Sequence, residues 1–473
     1  MENPSQLRER TIGAFIQQYP KIPCVIPSSP EYAALRATFI IDNPAVPIAI
    51  VRPQNADDVS TIVSFCVDHE IPFVVRSGGN NLFGKSQVHD ALTIDMRDIK
   101  YCRVDYSKRF AEIGGGILAG KLVEDLSNAG VMTASGTVDF IGYVGWSTYG
   151  GYGPFSGNFG YGFEQILGAK VVNWKGEILD ADLELLKGIR GAGGSFGIIV
   201  EMTIKVYPLT KILTGIMLYD ASDVEATVVN YCQGLQKLRD EGFPRQLCVA
   251  PLFLHTGDGL KLASHFMWSD DDDTAGFKWL EKVSKLGKVL YNPVRKTTVL
   301  DGMSDFKTII PPDGRASVNT VSLRALTKEV TAVMAKYVQR MPRYAGNGFA
   351  IHLGPKPSDS SLKNSVFGAT ESHLMLELLA TPRSEEGVEE SRKWGAEFLR
   401  GLLETNPKNI LPTTYINLTP PGRTTLDQIY GANFSFVMAL KRKYDPKDVL
   451  RLAVPFSYIA ATDVQDTREG SHL

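Results

Sequence analysis

Glycine is gathered into three short tracts within the first 200 residues, and their chemistry limits what the chain can fold into. The first reads Val74-Val75-Arg76-Ser77-Gly78-Gly79-Asn80-Asn81-Leu82-Phe83-Gly84. An apolar run, Pro72 to Val75, predicts a buried strand that feeds directly into a turn of two glycines and two asparagines. Those residue types tolerate positive φ and let neighbouring amides point into one concavity, the geometry that binds a pyrophosphate. The second tract places eight glycines between Gly142 and Gly162, among them Gly145, Gly150, Gly151 and Gly153. The third is Gly188-Ile189-Arg190-Gly191-Ala192-Gly193-Gly194-Ser195-Phe196-Gly197. A single glycine turn is usually only a turn, so the information lies in the order and spacing of all three.

A chain of 473 residues exceeds the size at which one core stops growing, so two domains are expected. A net charge of −2 argues against nucleic acid, which would need a concentrated basic face. No stretch approaches the ~20 consecutive apolar residues of a membrane-spanning helix. The first ten residues are polar and mixed in charge, unlike a secretory signal. The expected location is therefore intracellular, cytoplasmic or peroxisomal. The last three residues, Ser471-His472-Leu473, resemble a variant peroxisomal address, with a chance tripeptide as the even alternative. Five scattered cysteines without a CxxC pair argue against a disulfide framework. Cys66 falls on the apolar stripe of a helix, where it reads as a small buried hydrophobe.

Asn55-Ala56-Asp57-Asp58 predicts a capped helix start, followed by Val59, Ile62, Val63, Cys66 and Val67 at helical spacing. Strands are expected at Pro72–Val75 and Leu92–Asp95, then a hairpin-like pair from Cys102 to Ile113 and a helix near Leu118–Leu126. From about Pro208 the glycine clusters stop. Helices are expected at Asp223–Arg239, Thr274–Lys285, Thr327–Arg340 and Glu385–Leu403, with strands at Val249–Leu254, Leu260–Met267 and Gly348–Leu353. The turn Thr256-Gly257-Asp258-Gly259 closes a hairpin between the first two strands. Helices packed on one face of an antiparallel sheet make this second part.

The order of these motifs resembles the flavin domain of the vanillyl-alcohol oxidase / p-cresol methylhydroxylase superfamily, in particular its berberine-bridge-enzyme-like oxidases. The likeness begins at Ile48-Ala49-Ile50-Val51-Arg52-Pro53 and runs through the glycine tracts to Gly197-Ile198-Ile199. It resumes at Tyr430-Gly431-Ala432-Asn433 and Lys443-Tyr444-Asp445-Pro446. The resemblance implies an α+β fold: a two-part FAD-binding domain, residues 1–207 and 412–473, around a substrate domain, 208–411, whose antiparallel sheet is backed by helices. It implies FAD contact by Arg76, Ser77, Gly78, Gly79, Asn80, Asn81 and Gly84. The long tract would add Gly142, Gly145, Ser147, Thr148, Gly150, Gly151 and Gly153, with Ile198, Val200 and Asn433 completing the set. Trp146 stacks near the cofactor or fills the core.

Two departures matter chemically. Relatives commonly bond FAD through a His directly after the Gly-Gly pair, where this chain has Asn80; bicovalent relatives add a Cys where this chain has Val138. Neither side chain can form the bond, so a non-covalent flavin is expected and no metal is implied. Phe436 and Leu450 also replace the Arg and Phe usual in the subfamily.

The segment Glu371-Ser372-His373-Leu374-Met375-Leu376-Glu377-Leu378-Leu379 alternates like a strand. Period-two geometry puts His373, Met375 and Glu377 on one face and Leu374, Leu376 and Leu378 on the other. In relatives a strand here runs over the flavin's reactive edge. A Glu on an apolar strand is costly to bury unless partnered or protonated, so Glu377 is the leading acid–base candidate, His373 the next and Tyr430 a supporting one. A rim-exposed Glu and an ordinary core His form the plain alternative. His255 and His265 lie on the expected hairpin near the substrate. Two functions stay open: an oxidase that passes a hydride from a small organic, secondary-metabolite substrate to FAD with reoxidation by oxygen, and a cyclase or isomerase using the same cavity for proton transfer. The order of motifs fixes neither substrate nor oligomeric state.

Overall fold

The computed structural model describes residues 4–310, 313–315 and 317–456. Ser471, His472 and Leu473 lie outside the described residues. Among those described, no helix is long and apolar enough to cross a membrane, and all five cysteines are free.

Asn55 accepts a hydrogen bond from the Asp58 amide and starts the helix Ala56–Asp68, whose Val59, Ile62, Val63 and Cys66 are buried. That stripe packs on a four-stranded sheet ordered Cys24–Val25, Ala49–Val51, Leu92–Asp95, Phe73–Arg76. The last three strands are mutually parallel, so Phe73–Arg76 delivers the first glycine turn at its C-terminal end. A second, antiparallel sheet holds Cys102–Val104, Phe110–Gly114, Ile198–Lys205, Ile166–Val172 and Ile178–Asp180 in that order. The helix Phe434–Tyr444 returns to this core through Val437 and Leu440, while Leu450 is buried against the first sheet. Lys441 Nζ, almost wholly buried, donates to Asp445 at 2.5 Å and ties the returning segment down.

The middle of the chain forms one eight-stranded antiparallel sheet. Its central strands run Ile212–Tyr219, Gly259–Trp268, Leu247–Thr256, Asn347–Gly354, His373–Ala380, Val318–Leu323. The expected hairpin is present, with Thr256 opposite Gly259. The expected helices form at Val224–Asp240, Asp273–Ser284, Lys328–Gln339 and Val388–Leu403, within three residues of the sequence boundaries. All four pack on one face of the sheet: Tyr231, Leu280, Met334 and Phe398 share a core with Phe253, Phe349, Leu374, Leu376 and Leu378. The opposite face is left to line a cavity.

Candidate active site

A cavity of about 820 Å³ separates the glycine tracts from the free face of the eight-stranded sheet. Small-molecule sites typically measure ~300–1,000 Å³.

One wall is built from backbone. Ser77, Gly78, Gly79, Asn80 and Asn81 line it, with Gly142, Gly145, Thr148, Gly153, Gly194 and Ile198 from the other tracts. Glycine is required because the tracts touch. A Cβ at Gly78 would lie 2.4 Å from the Gly142 nitrogen, and one at Gly142 would lie 2.4 Å from Ser77 Oγ. Gly79 adds a φ of +79°, which a side chain disfavours. Asn80 Nδ2 donates to the Phe140 carbonyl at 2.7 Å and clips the first tract to the second. Val138 lines the same cavity. Trp146 lines the cavity, is almost wholly buried, and donates to the Tyr152 carbonyl at 2.9 Å.

Several expected contacts lie elsewhere. Arg76 turns away from the cavity and is 2% exposed, its guanidinium donating to the Leu35 and Ala37 carbonyls at 2.5 Å each. Burial first, then neighbouring Arg97, lowers its pKa to about 10. It braces the turn from behind: a Cβ on Gly79 would stand 2.9 Å from its Nε. Gly84 packs against Asn43 outside the cavity. Ser147 faces the core and donates to the Val144 carbonyl at 3.3 Å. Gly150 and Gly151 serve close packing, since their Cβ atoms would meet Phe367 at 2.8 Å and Gly162 at 2.6 Å. Val200 is buried in the core beside the four-stranded sheet and does not line the cavity. Tyr430 is buried in the core against the five-stranded sheet with its hydroxyl unpartnered, and Asn433 is a half-buried residue at the start of Phe434–Tyr444. Neither lines the cavity.

The other wall is built from side chains on the sheet. His373, Met375, Glu377 and Leu379 line the cavity, whereas Leu374, Leu376 and Leu378 enter the helix-covered core. Glu377 Oε2 lies 2.9 Å from His352 Nε2 on the neighbouring strand. His373 is held differently. Burial lowers its pKa to about 4, so the ring is neutral near pH 7. Its Nδ1 lies 2.8 Å from the Glu371 carbonyl, which only accepts, so the proton sits on Nδ1. Nε2 must then accept from the Tyr152 hydroxyl at 2.6 Å. With both ring nitrogens engaged, His373 is a brace between the walls. His265 also lines the cavity, 2.9 Å from Thr214 Oγ1, whereas His255 does not.

His352, Tyr152, Tyr415, Asn417 and Lys85 escaped the sequence reading, although all line the cavity. The signal for His352 was its place two residues after Ala350 on the expected strand, the same face as Glu377 once the strands pair. Asn417 Nδ2 donates to Tyr415 Oη at 3.1 Å and to the Gly145 carbonyl at 3.2 Å, joining the two walls. Burial, reinforced by Glu377, pushes the Tyr415 pKa up to about 12. Among the described lining residues Glu377 is the only carboxylate, set against Lys85, Arg239 and Arg245. No cluster of His, Cys, Asp and Glu among the described residues could hold a metal ion.

Residues 47–182 match the FAD binding domain family. The FAD-linked oxidoreductase aurO of Gibberella zeae is 28% identical over 428 residues, covering 90% of this chain and 83% of that one. The wild-type Physcomitrella patens berberine-bridge-enzyme-like protein 1 superposes with a TM-score of 0.78 at 18% identity, over 94% of this chain and 97% of its own. The Acremonium strictum glucooligosaccharide oxidase, which carries 6-S-cysteinyl, 8α-N1-histidyl FAD, gives 0.81 at 18% identity over 93% and 97%. Matched domain, relatives and shared fold agree with the glycine cradle: the chain is an FAD-dependent oxidoreductase, similar over most of its length to FAD-linked oxidoreductases and sharing its fold with a berberine-bridge-enzyme-like protein.

Proposed function

We propose that this enzyme is an oxidase of a small organic, secondary-metabolite substrate, with FAD held without a covalent bond and oxygen as the final acceptor. The observation that carries the reading is the Glu377–His352 pair, which faces the glycine cradle across one cavity. The cradle fits a cofactor on its own evidence. A Cβ at Gly145 would meet no protein atom within 4 Å and would enter the cavity itself, so glycine there keeps the space open for a bound group. Ser77 to Asn81 supply the amide turn for the diphosphate, and Lys85 supplies a positive charge on the same wall. Asn80 and Val138 both line the cavity, and neither carries a nucleophile that could bond the ring. The proposed division is a flavin part, 1–207 and 412–473, around a substrate part, 208–411. A cytoplasmic or peroxisomal location is proposed with it.

When bound, FAD supplies the acceptor for a substrate hydride and is returned to its oxidised form by oxygen, with hydrogen peroxide as product. The protein's own task is the proton. Glu377 takes it from a substrate O–H or N–H, and His352 Nε2, 2.9 Å away, orients the carboxylate. Tyr415 stays protonated at neutral pH and keeps a hydroxyl beside the carboxylate.

Two measurements test this. Acid precipitation should leave the yellow colour in the supernatant; flavin pelleting with protein defeats the non-covalent reading. Anaerobic substrate should bleach the flavin absorbance, and air should restore it with peroxide formation. Turnover without bleaching would make the enzyme a cyclase or isomerase instead.

A further inference from the structure

We infer that the substrate carries a carboxylate at the end remote from its reacting group, and that Arg239 and Arg245 bind it at one mouth of the cavity. The inference rests on the reading of this cavity as a substrate site with Glu377 as proton acceptor. The strands Leu247–Thr256 and His373–Ala380 run the same way, because each pairs antiparallel with Asn347–Gly354 between them. Both therefore start at one end of the cavity. Arg245 stands two residues before the first strand, and Ser372 one residue before the second. Arg239 reaches the same end from the last turn of the helix Val224–Asp240. Its Nη2 donates to Ser372 Oγ at 3.0 Å and its Nη1 to the Arg324 carbonyl at 2.8 Å. Both arginines and Ser372 line the cavity. Gly242, Arg245 and Ser372 are exposed, so this end opens to solvent.

Uncompensated charge marks this end as an anion site. Arg239 is held by a hydroxyl and a carbonyl, and Arg245 Nη2 donates to the Asn158 carbonyl at 3.3 Å, so both guanidinium groups meet neutral acceptors. The carboxylates nearest in sequence are engaged elsewhere. Glu371 is held by Arg324 at 2.7 Å, Asp240 by the Gln236 amide at 2.7 Å, and Glu241 by Lys282 at 3.9 Å. A guanidinium with neutral partners keeps its full positive charge, and its planar fork suits a carboxylate. Glu377 is the only carboxylate among the described lining residues, and it follows His373 by four positions on the same strand. At a rise of ~3.3 Å per residue that is ~13 Å. Met375 on one strand and Ala250 on the other line the stretch between. The ligand class is thus an organic acid with an apolar body, its carboxylate at the arginines and its reacting O–H or N–H at Glu377.

The test is calorimetric titration of the FAD-loaded enzyme with 4-phenylbutyrate, with the matching alcohol 4-phenylbutan-1-ol, and with sulfate. The acid should bind at least ~10-fold tighter than the alcohol, the margin of a charge-assisted contact. Arg239→Gln and Arg245→Gln should each shrink that margin while FAD content and the alcohol's affinity stay at the wild-type level. Arg245 is exposed, so its variant covers the case in which the first fails to fold. Equal affinity for acid and alcohol, or an undiminished margin in either correctly loaded variant, overturns the subsite. Sulfate binding as tightly as the acid makes this a site for a free inorganic anion and overturns the substrate tail. Loss of FAD from a folded variant gives the arginines to the cofactor and overturns it too. Because binding is read without turnover, the two readings fail separately. Arginine-dependent acid binding in an enzyme that never bleaches keeps the subsite and sinks the oxidase. A bleachable enzyme without preference for the acid does the reverse.

Discussion

The two walls of the cavity are made by different physics. The glycine wall is backbone against backbone: Gly78 and Gly142 approach so closely that either Cβ would collide. The sheet wall is side chain against side chain: Glu377, His352 and Ala350 are ordinary residues whose meaning comes from strand register. Substitution on the first wall therefore breaks the geometry of the chain, while substitution on the second changes chemistry and leaves the chain in place.

The strongest challenge to that contrast is Gly78→Val. Its side chain would enter the Gly142 backbone at 2.4 Å, so purified protein should emerge colourless with its circular dichroism largely kept. Normal flavin content would mean that the tracts do not cradle the cofactor. Glu377→Gln tests the opposite wall. It should keep full colour and lose ~10²–10⁴-fold in kcat, the usual range for general acid–base assistance. A near-wild-type rate would shift the role of proton acceptor to His352.

Acid stability separates the walls next. Burial lowers both His265 and His373 to about 4, against ~6.5 for an unfolded histidine. Between those values the unfolded chain binds protons that the folded chain refuses. Stability is thus complete above about pH 6.5 and is lost as pH falls toward 4, by on the order of 3 kcal/mol per histidine. Denaturant midpoints at pH 7 and pH 5 should differ for the wild type and differ less for His265→Gln; equal differences would show that His265 carries no share of the effect.

The smallest effect is expected at Tyr152→Phe, which removes the hydroxyl that spans the walls and leaves His373 Nε2 without its donor. A loss of about 1–3 kcal/mol follows, visible as a melting temperature lowered by a few degrees with FAD content unchanged. No change in melting would show that water replaces the hydroxyl without cost.

Much of this molecule could be read along the chain. The capped helix at Ala56–Asp68, the hairpin around Gly257, and the alternation that sends Leu374, Leu376 and Leu378 inward are local effects, decided by neighbours within a few residues. The short strands Val289–Tyr291 and Arg295–Thr297 were not anticipated, because three residues carry too little period to recognise. Arg76 shows the limit more sharply. Its position beside an anion-binding turn suggested a phosphate contact, yet its guanidinium is consumed by carbonyls some 40 residues earlier in the chain. Tyr430 and Asn433 belong to a recognisable C-terminal pattern, but that pattern packs a core.

The sequence by itself determined where the backbone had to be bare, because a close approach or a positive φ leaves glycine as the residue that fits. It also determined which face of each strand would be buried, because alternation is a property of the strand alone. Only the tertiary structure decided that Glu377 meets His352, that Tyr152 reaches His373, and that Ala350 stands opposite the carboxylate. These pairings join residues 25 to 221 positions apart. They arise from strand register and from two cores closing on one cavity, and no local period encodes either.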